Sequence, residues 1–362
     1  MSNSLKVLAL VTDAFGGRGG IAQYNRDFLS TLAASTRSSI TVLPRLAPDP
    51  PTTPELIDQM RAQKARLPYS IKALLMALFR PLDVVFCGHL FMAPLAALIA
   101  RLKGAKLIVQ THGIEAWPRP SRPRRAALEK ANLVLCVSRY TRAALLTWAS
   151  IAPERVLVLP NTVRDDFSPG DGSALRMALG LQSKRVLLTV GRLDGGQHYK
   201  GHDRVISSLS QLVAEGHDVV YAVVGEGSDR KRLETLSSKA GIADRVRFLG
   251  ALDHQRLIEA YRMADVFVMP SVGEGFGIVY LEAMASGTPA IGLDAAGARD
   301  ALADGELGTL VSEAKLPSAL AHLLATPKQD ARALATATRA RFGRNSFAAG
   351  AHAAFNRLME VT

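Results

Sequence analysis

Glu274 and Glu282 stand with seven residues between them in the run Glu-Gly-Phe-Gly-Ile-Val-Tyr-Leu-Glu, and three glycines (Gly273, Gly275 and Gly277) surround the first. A glycine loop that opens a helix exposes unpaired backbone N–H groups and the positive end of the helix dipole, which suits a phosphate. An anion does not need two carboxylates, but a polyhydroxylated ligand does, because carboxylates accept hydrogen bonds from sugar hydroxyls. A second stretch, Gly191-Arg192-Leu193-Asp194-Gly195-Gly196-Gln197-His198-Tyr199-Lys200-Gly201, offers a bidentate guanidinium and a point-charge ammonium. That pair fits a diphosphate leaving group. Taken alone, a charged loop is more often merely solvated, and a lone histidine such as His112 in Thr111-His112-Gly113 is more often structural.

The elements that must position these residues are legible around them. Val266 to Met269, closed by Pro270, reads as a buried strand, and Ile278 to Ala285 has helical spacing until Gly287 and Pro289 stop it. The first half alternates strands (Leu5 to Val11, Ser39 to Leu43, Asp83 to Phe86, Lys106 to Gln110, Leu133 to Val137, Arg155 to Leu159) with helices, including helical patterns across residues 53–80. The second half repeats this grammar from Arg185 onward, so the fold class is α/β with two doubly wound domains. Residues 160–172 are rich in loop formers and are expected to link the domains. His112 then falls at a strand end. Phe15-Gly-Gly-Arg-Gly-Gly-Ile-Ala-Gln23 follows the first strand; its Gly17-x-Gly19-x-x-Ala22 mimics a dinucleotide fingerprint, but the second strand ends in Thr41-Val-Leu-Pro-Arg45 without the acidic residue that motif needs.

The run from Glu274 to Pro289 resembles the signature of glycosyltransferase family 4, the retaining enzymes of the glycosyl transferases group 1. The resemblance implies a GT-B fold, two Rossmann-like domains facing a central cleft. It implies that Glu274 orients the sugar, that Glu282 holds the nucleoside ribose, and that Gly275, Phe276 and the amides of Gly277, Ile278 and Val279 bind the donor phosphate. Gly191-Arg-Leu with Lys200-Gly201 is similar to the family's donor-phosphate element, and Gly19 and Gly20 match its Gly-Gly loop at the donor diphosphate. His112 corresponds to the family's histidine near the reacting carbon. By the same resemblance, residues 1–167 form an acceptor-side domain, 168–343 a nucleotide-sugar domain, and 344–362 a terminal helix returning to the first.

Composition bounds the alternatives. The chain has 362 residues, 48% hydrophobic and 21% charged, as expected of globular domains. Its net charge of +12 is lopsided: residues 1–167 hold 22 Lys and Arg against 11 Asp and Glu, the remainder 22 against 21. Aromatic content of 6% and the lack of a recognition motif argue against a nucleic-acid binder. A glycoside hydrolase would not need the Arg192 and Lys200 phosphate site. A GT-B sugar-nucleotide epimerase shares the fold but not, on the family's pattern, the glutamate pair. No Asp-x-Asp occurs, so neither metal nor cofactor is expected, only a nucleoside diphosphate sugar. Cys87 and Cys136 lie in apolar runs and read as core residues. The absence of a signal-like leader and of any apolar run of ~18 residues leads to an expected cytoplasmic location. Basic residues bracketing Ile71 to Phe79, and Arg119, Arg122, Arg124 and Arg125 in a proline-rich loop, add the expectation of docking on an anionic surface. That surface would be the cytoplasmic face of the inner membrane, with a lipid-linked saccharide as acceptor.

Overall fold

The structure, a computed structural model, describes residues 4–46, 53–326 and 330–360. It divides into two units, Met1–Thr162 with Asn345–Thr362, and Val163–Arg344.

In the first unit the strands β1 (Lys6–Val11), β2 (Ser39–Pro44), β3 (Ile57–Gln59), β4 (Val84–Cys87), β5 (Lys106–Thr111), β6 (Leu133–Cys136) and β7 (Val156–Val158) form one sheet. Its order is β3-β2-β1-β4-β5-β6-β7, and every described pairing is parallel. Parallel strands buried on both faces need continuous apolar runs, and Val7 to Val11 and Val84 to Cys87 supply them, each at most 1% exposed. The helices α1 (Gly20–Thr36), α2 (Arg66–Phe79), α3 (Ala93–Lys103) and α4 (Arg122–Glu129) cover the sheet. Leu8, Leu10, Val85 and Val109 pack with Ala93, Ala96 and Ile99 of α3, and Cys87 and Cys136 lie buried and free in the same core. Each fully buried aliphatic side chain there contributes about 1.5–3 kcal/mol.

The second unit holds β8 (Arg185–Val190), β9 (Val219–Val224), β10 (Val246–Gly250), β11 (Val266–Met269), β12 (Ala290–Leu293) and β13 (Thr309–Val311). Their order is β10-β9-β8-β11-β12-β13, again parallel where pairing is described. In each sheet the order reverses beside the first strand, between β1 and β4 and between β8 and β11. Open α/β sheets bind ligands at the carboxyl ends of the strands at such a switch point.

Three features depart from the sequence expectations. Ile57–Gln59 is a strand within a stretch read as helical; three residues carry no usable period, and pairing of Ile57 with Ile40 decides it. The proline-rich loop after His112 contains α4, whose Pro123 sits in the first turn, where a missing amide costs nothing. The units divide at Thr162 and not at 167. Phe167 is buried with its ring 5.8 Å from that of Tyr261, and Arg262 Nε donates to the Ser168 carbonyl at 2.8 Å. The expected linker is thus partly packed on the second unit.

Candidate functional site

In the second unit the loop after β8 and the loop after β11 meet at the switch point. Gly201 has φ 82°, and a Cβ there would stand 2.3 Å from the Pro270 carbonyl oxygen, so only glycine allows the contact. Val272 N donates to the Tyr199 carbonyl at 3.0 Å. These contacts bring together side chains 74 residues apart: Lys200 Nζ lies 3.3 Å from Glu274 Oε1, both largely shielded. Arg192 is exposed two residues beyond the end of β8 and faces no carboxylate among the described residues. Glycines of a third loop, Gly225 and Gly227, lie backbone to backbone against the Gly191 and Leu193 carbonyls, where a Cβ would clash at 1.8 and 1.9 Å.

The helix Ile278–Ala285 begins at Gly277, whose φ of 93° places it in the left-handed region, with no side-chain cap. Ile278 and Val279 occupy the first turn, where an α-helix cannot pair its own amides. Phe276 is buried with its ring 5.7 Å from that of Phe342, so its side chain packs the core and offers a ligand only backbone. Glu282 is buried as well; its Oε2 accepts from the Tyr261 hydroxyl at 2.7 Å. Burial pushes its carboxyl up to about 7, against the Tyr261 hydrogen bond and the Arg164 charge, which lower it. The two glutamates therefore differ in state: Glu274 is paired with an ammonium, whereas Glu282 titrates near neutrality.

In the first unit Gly19, with φ 90°, caps α1, and Gly20 is its first residue. Arg26 Nη1 donates to the carbonyls of Ala14 and Gly17 at 2.9 and 2.8 Å and holds this loop. His112 follows β5, its Nε2 donating to the Gly88 carbonyl at 2.9 Å and its backbone amide to Glu115 Oε1 at 2.5 Å. The ring meets Tyr24 edge-on at 5.5 Å, and burial lowers its pKa, which favours the neutral form. His112 is thus held on three sides by its own unit.

Two residues at this sheet edge escaped the sequence reading. His89 follows β4 with its ring 5.9 Å from that of His112; burial lowers it to about 4. Asp13 follows β1; its Oδ1 is buried without a hydrogen-bond partner, and desolvation raises its pKa. Gly17 makes room for that carboxylate, since a Cβ there would fall 1.9 Å from Oδ1. The available signal was positional: each residue comes two places after one of the two strands that flank the switch point.

The family model for glycosyl transferases group 1 matches residues 174–347, and that for Glycosyltransferase Family 4 matches residues 18–167. The GDP-mannose-dependent alpha-(1-6)-phosphatidylinositol monomannoside mannosyltransferase of Mycolicibacterium smegmatis is 35% identical over 260 residues, 66% of this chain and 67% of that protein. D-inositol 3-phosphate glycosyltransferase 2 of Catenulispora acidiphila is 38% identical over 224 residues, 58% of this chain and 52% of that protein. The chain thus spans about half the length of some curated relatives. Among solved structures, sucrose-phosphate synthase from Thermosynechococcus elongatus superposes with a TM-score of 0.79 at 24% identity, covering 99% of this chain and 100% of that one. Anabaena Alr3699/HepE in complex with UDP gives 0.77 at 21% identity, with 97% and 100% covered. At these identities the likeness to the solved structures is one of fold.

Proposed function

This chain belongs to the glycosyl transferases group 1, as a nucleotide-sugar glycosyltransferase of the GT-B type, and from that premise we propose that it is a retaining, metal-independent hexosyltransferase. The carrying observation is the Lys200 and Glu274 pair at the β8/β11 switch point, with Arg192 exposed on the same loop as Lys200. Glu274, paired with the Lys200 ammonium, orients the sugar hydroxyls. Lys200 retains donors for the departing diphosphate, whose charge is also met by Arg192 and the amides of Gly277, Ile278 and Val279. Glu282 takes the ribose. The bond from the anomeric carbon to the diphosphate breaks and an oxocarbenium-like centre forms. The acceptor hydroxyl attacks from the same face, and its proton passes to a leaving phosphate oxygen. Gly19, Gly20 and His112 we assign to donor contacts on the strength of the family resemblance, with Gly275 and Phe276 contributing backbone.

The acceptor in this reading is a lipid-linked saccharide at the cytoplasmic face of a membrane. Its support lies in α2, whose large apolar residues Leu67, Ile71, Leu75 and Leu78 are exposed while the small Ala73 and Ala77 face inward. No described helix is long and apolar enough to cross a membrane. One relative acts, by its name, on a phosphatidylinositol mannoside with GDP-mannose, and solved neighbours hold UDP or UDP-glucose. Calorimetric titration with UDP, GDP and ADP names the base. One of the three should bind the wild type and bind Lys200→Ala at least tenfold more weakly; binding of none, or equal binding to both proteins, rejects this site.

A further inference from the structure

Three guanidinium groups, those of Arg45, Arg66 and Arg124, line one cavity of about 310 Å³ in the first unit, over Tyr69, Met92 and Leu95; among the described residues no carboxylate lines it. The cations come from separate elements. Arg45 follows β2, Arg66 is the first residue of α2, and Arg124 lies in the first turn of α4. Arg45 donates from Nη2 to the Lys64 carbonyl at 2.7 Å, but its Nε is buried with no hydrogen-bond partner. Arg124 stacks its guanidinium 4.5 Å over the Phe91 ring. Arg66 has no acid partner among the described residues.

Both helices that border the cavity begin against the usual charge preference. A helix N-terminus favours acids, yet neither α2 nor α4 has one in its first turn, neither has a side-chain cap, and each places arginine there instead. Three cations drawn to one cavity repel one another and the helix dipoles, an arrangement that a bound anion offsets. The Tyr69 hydroxyl donates to the Leu43 carbonyl at 2.9 Å, so it forms wall and leaves recognition to the arginines. The cavity also adjoins the switch point, because Phe91 donates its amide to His89 Nδ1 at 3.3 Å and His89 neighbours His112.

We propose that this cavity binds the phosphate ester of the acceptor. A tetrahedral phosphate presents enough oxygens for several guanidinium forks at once, which a carboxylate does not. That the ester belongs to the acceptor rests on the transferase reading; the phosphate site itself does not. The ester could reach the cavity on a free phosphorylated polyol or on a phospholipid headgroup, and the two sources are separable by experiment.

The test is calorimetry with sn-glycerol 3-phosphate on the full chain, with glycerol as control, repeated in the Arg192→Ala background so that binding at the donor site does not count. The wild type should bind the ester and not glycerol, and Arg66→Gln/Arg124→Gln should lower the affinity by roughly tenfold or more. Nucleoside diphosphate binding by the double variant should stay within twofold, and Arg66→Lys should restore part of the ester binding. Co-sedimentation with phosphatidylinositol vesicles identifies the source: loss of vesicle binding in the double variant assigns a headgroup, and soluble ester binding alone assigns a free polyol phosphate. Equal ester affinity in wild type and double variant, or loss of ester binding with Arg192→Ala alone, overturns the proposal. Failure of every nucleotide to bind would overturn the transferase reading and leave this site standing.

Discussion

The two units use their arginines in opposite ways. In the second, Arg232 bonds Asp203 and Asp229, Arg230 bonds Glu226 and Glu234, and Arg176 and Arg185 share the buried Asp265. Their charges are matched locally and hold loops and helices in place. In the first unit Arg66, Arg119, Arg122 and Arg124 face no carboxylate among the described residues, in the half of the chain that carries nearly all the excess charge. Paired charges answer to structure and unpaired ones to something outside the chain. Arg192 tests the distinction, since it is unpaired in the unit where pairing is the habit.

The sharpest way to break the comparison is at the one charge pair assigned to chemistry, Lys200 with Glu274. Glu274→Ala should lose at least two orders of magnitude in turnover yet fold, because a loop carboxylate adds little to the core while positioning the reacting sugar. Thermal melting and initial rates on a defined substrate pair check it; activity within threefold of wild type would move the site elsewhere. Arg192→Ala should follow, with transition-state stabilisation reduced by about 2 to 3 kcal/mol and EDTA without effect. Arg232→Ala is the contrasting control. It should cost about 1 kcal/mol of stability and leave kcat/KM nearly unchanged, because its pairs are partly solvent-exposed. If Arg232→Ala slowed transfer as much as Arg192→Ala, pairing would not separate structural from functional arginines.

Glu282 sharpens the comparison from the acidic side, being buried with a tyrosine as its hydrogen-bond partner and no ion pair. Its folded pKa of about 7 lies above the ordinary carboxyl value of 4.5. Between these values the native state keeps a proton that the unfolded chain has lost, so stability must fall as pH rises from about 4.5 to 7. The size is on the order of 3 kcal/mol. Denaturant unfolding of Glu282→Gln should track the wild type at pH 5 and exceed it at pH 8. A variant whose stability changes with pH as the wild type's does would place the titrating group elsewhere.

Much of this was legible in sequence because the signals are local. Apolar β-branched runs closed by Gly or Pro marked the central strands, and glycine loops with Arg192, Lys200, Glu274 and Glu282 marked the donor-side candidates. What escaped depends on pairing between distant segments. Asp13 and His89 gain meaning only once β1 and β4 lie side by side, and the raised Glu282 carboxyl only once Tyr261 and the helix bury it. The first turn of α4 was hidden by its own proline, and the role of residues 163–168 by a loop-like composition that Phe167 contradicts through packing.

The last contrast lies on the outer face of α2. A helix packed on a sheet normally turns its large apolar residues inward, but here Leu67 and Leu78 are 70% and 68% exposed and Phe79 77%, while Ala73 and Ala77 are buried. Lys64, Lys72 and Arg80 flank that face. An exposed apolar stripe rimmed by cations matches an anionic bilayer, where the side chains enter the headgroup boundary and each cation contributes about 1 kcal/mol. Changing Arg61, Lys64 and Lys72 to Ser leaves the three cavity arginines in place. It should weaken binding to anionic vesicles by roughly fivefold per charge engaged, with the loss diminishing as salt screens the wild type. Leu67→Ser with Leu75→Ser should weaken binding without altering its salt dependence. Equal partition into zwitterionic and anionic vesicles, or none into either, would leave the α2 stripe unexplained by lipid and favour an acceptor met in solution.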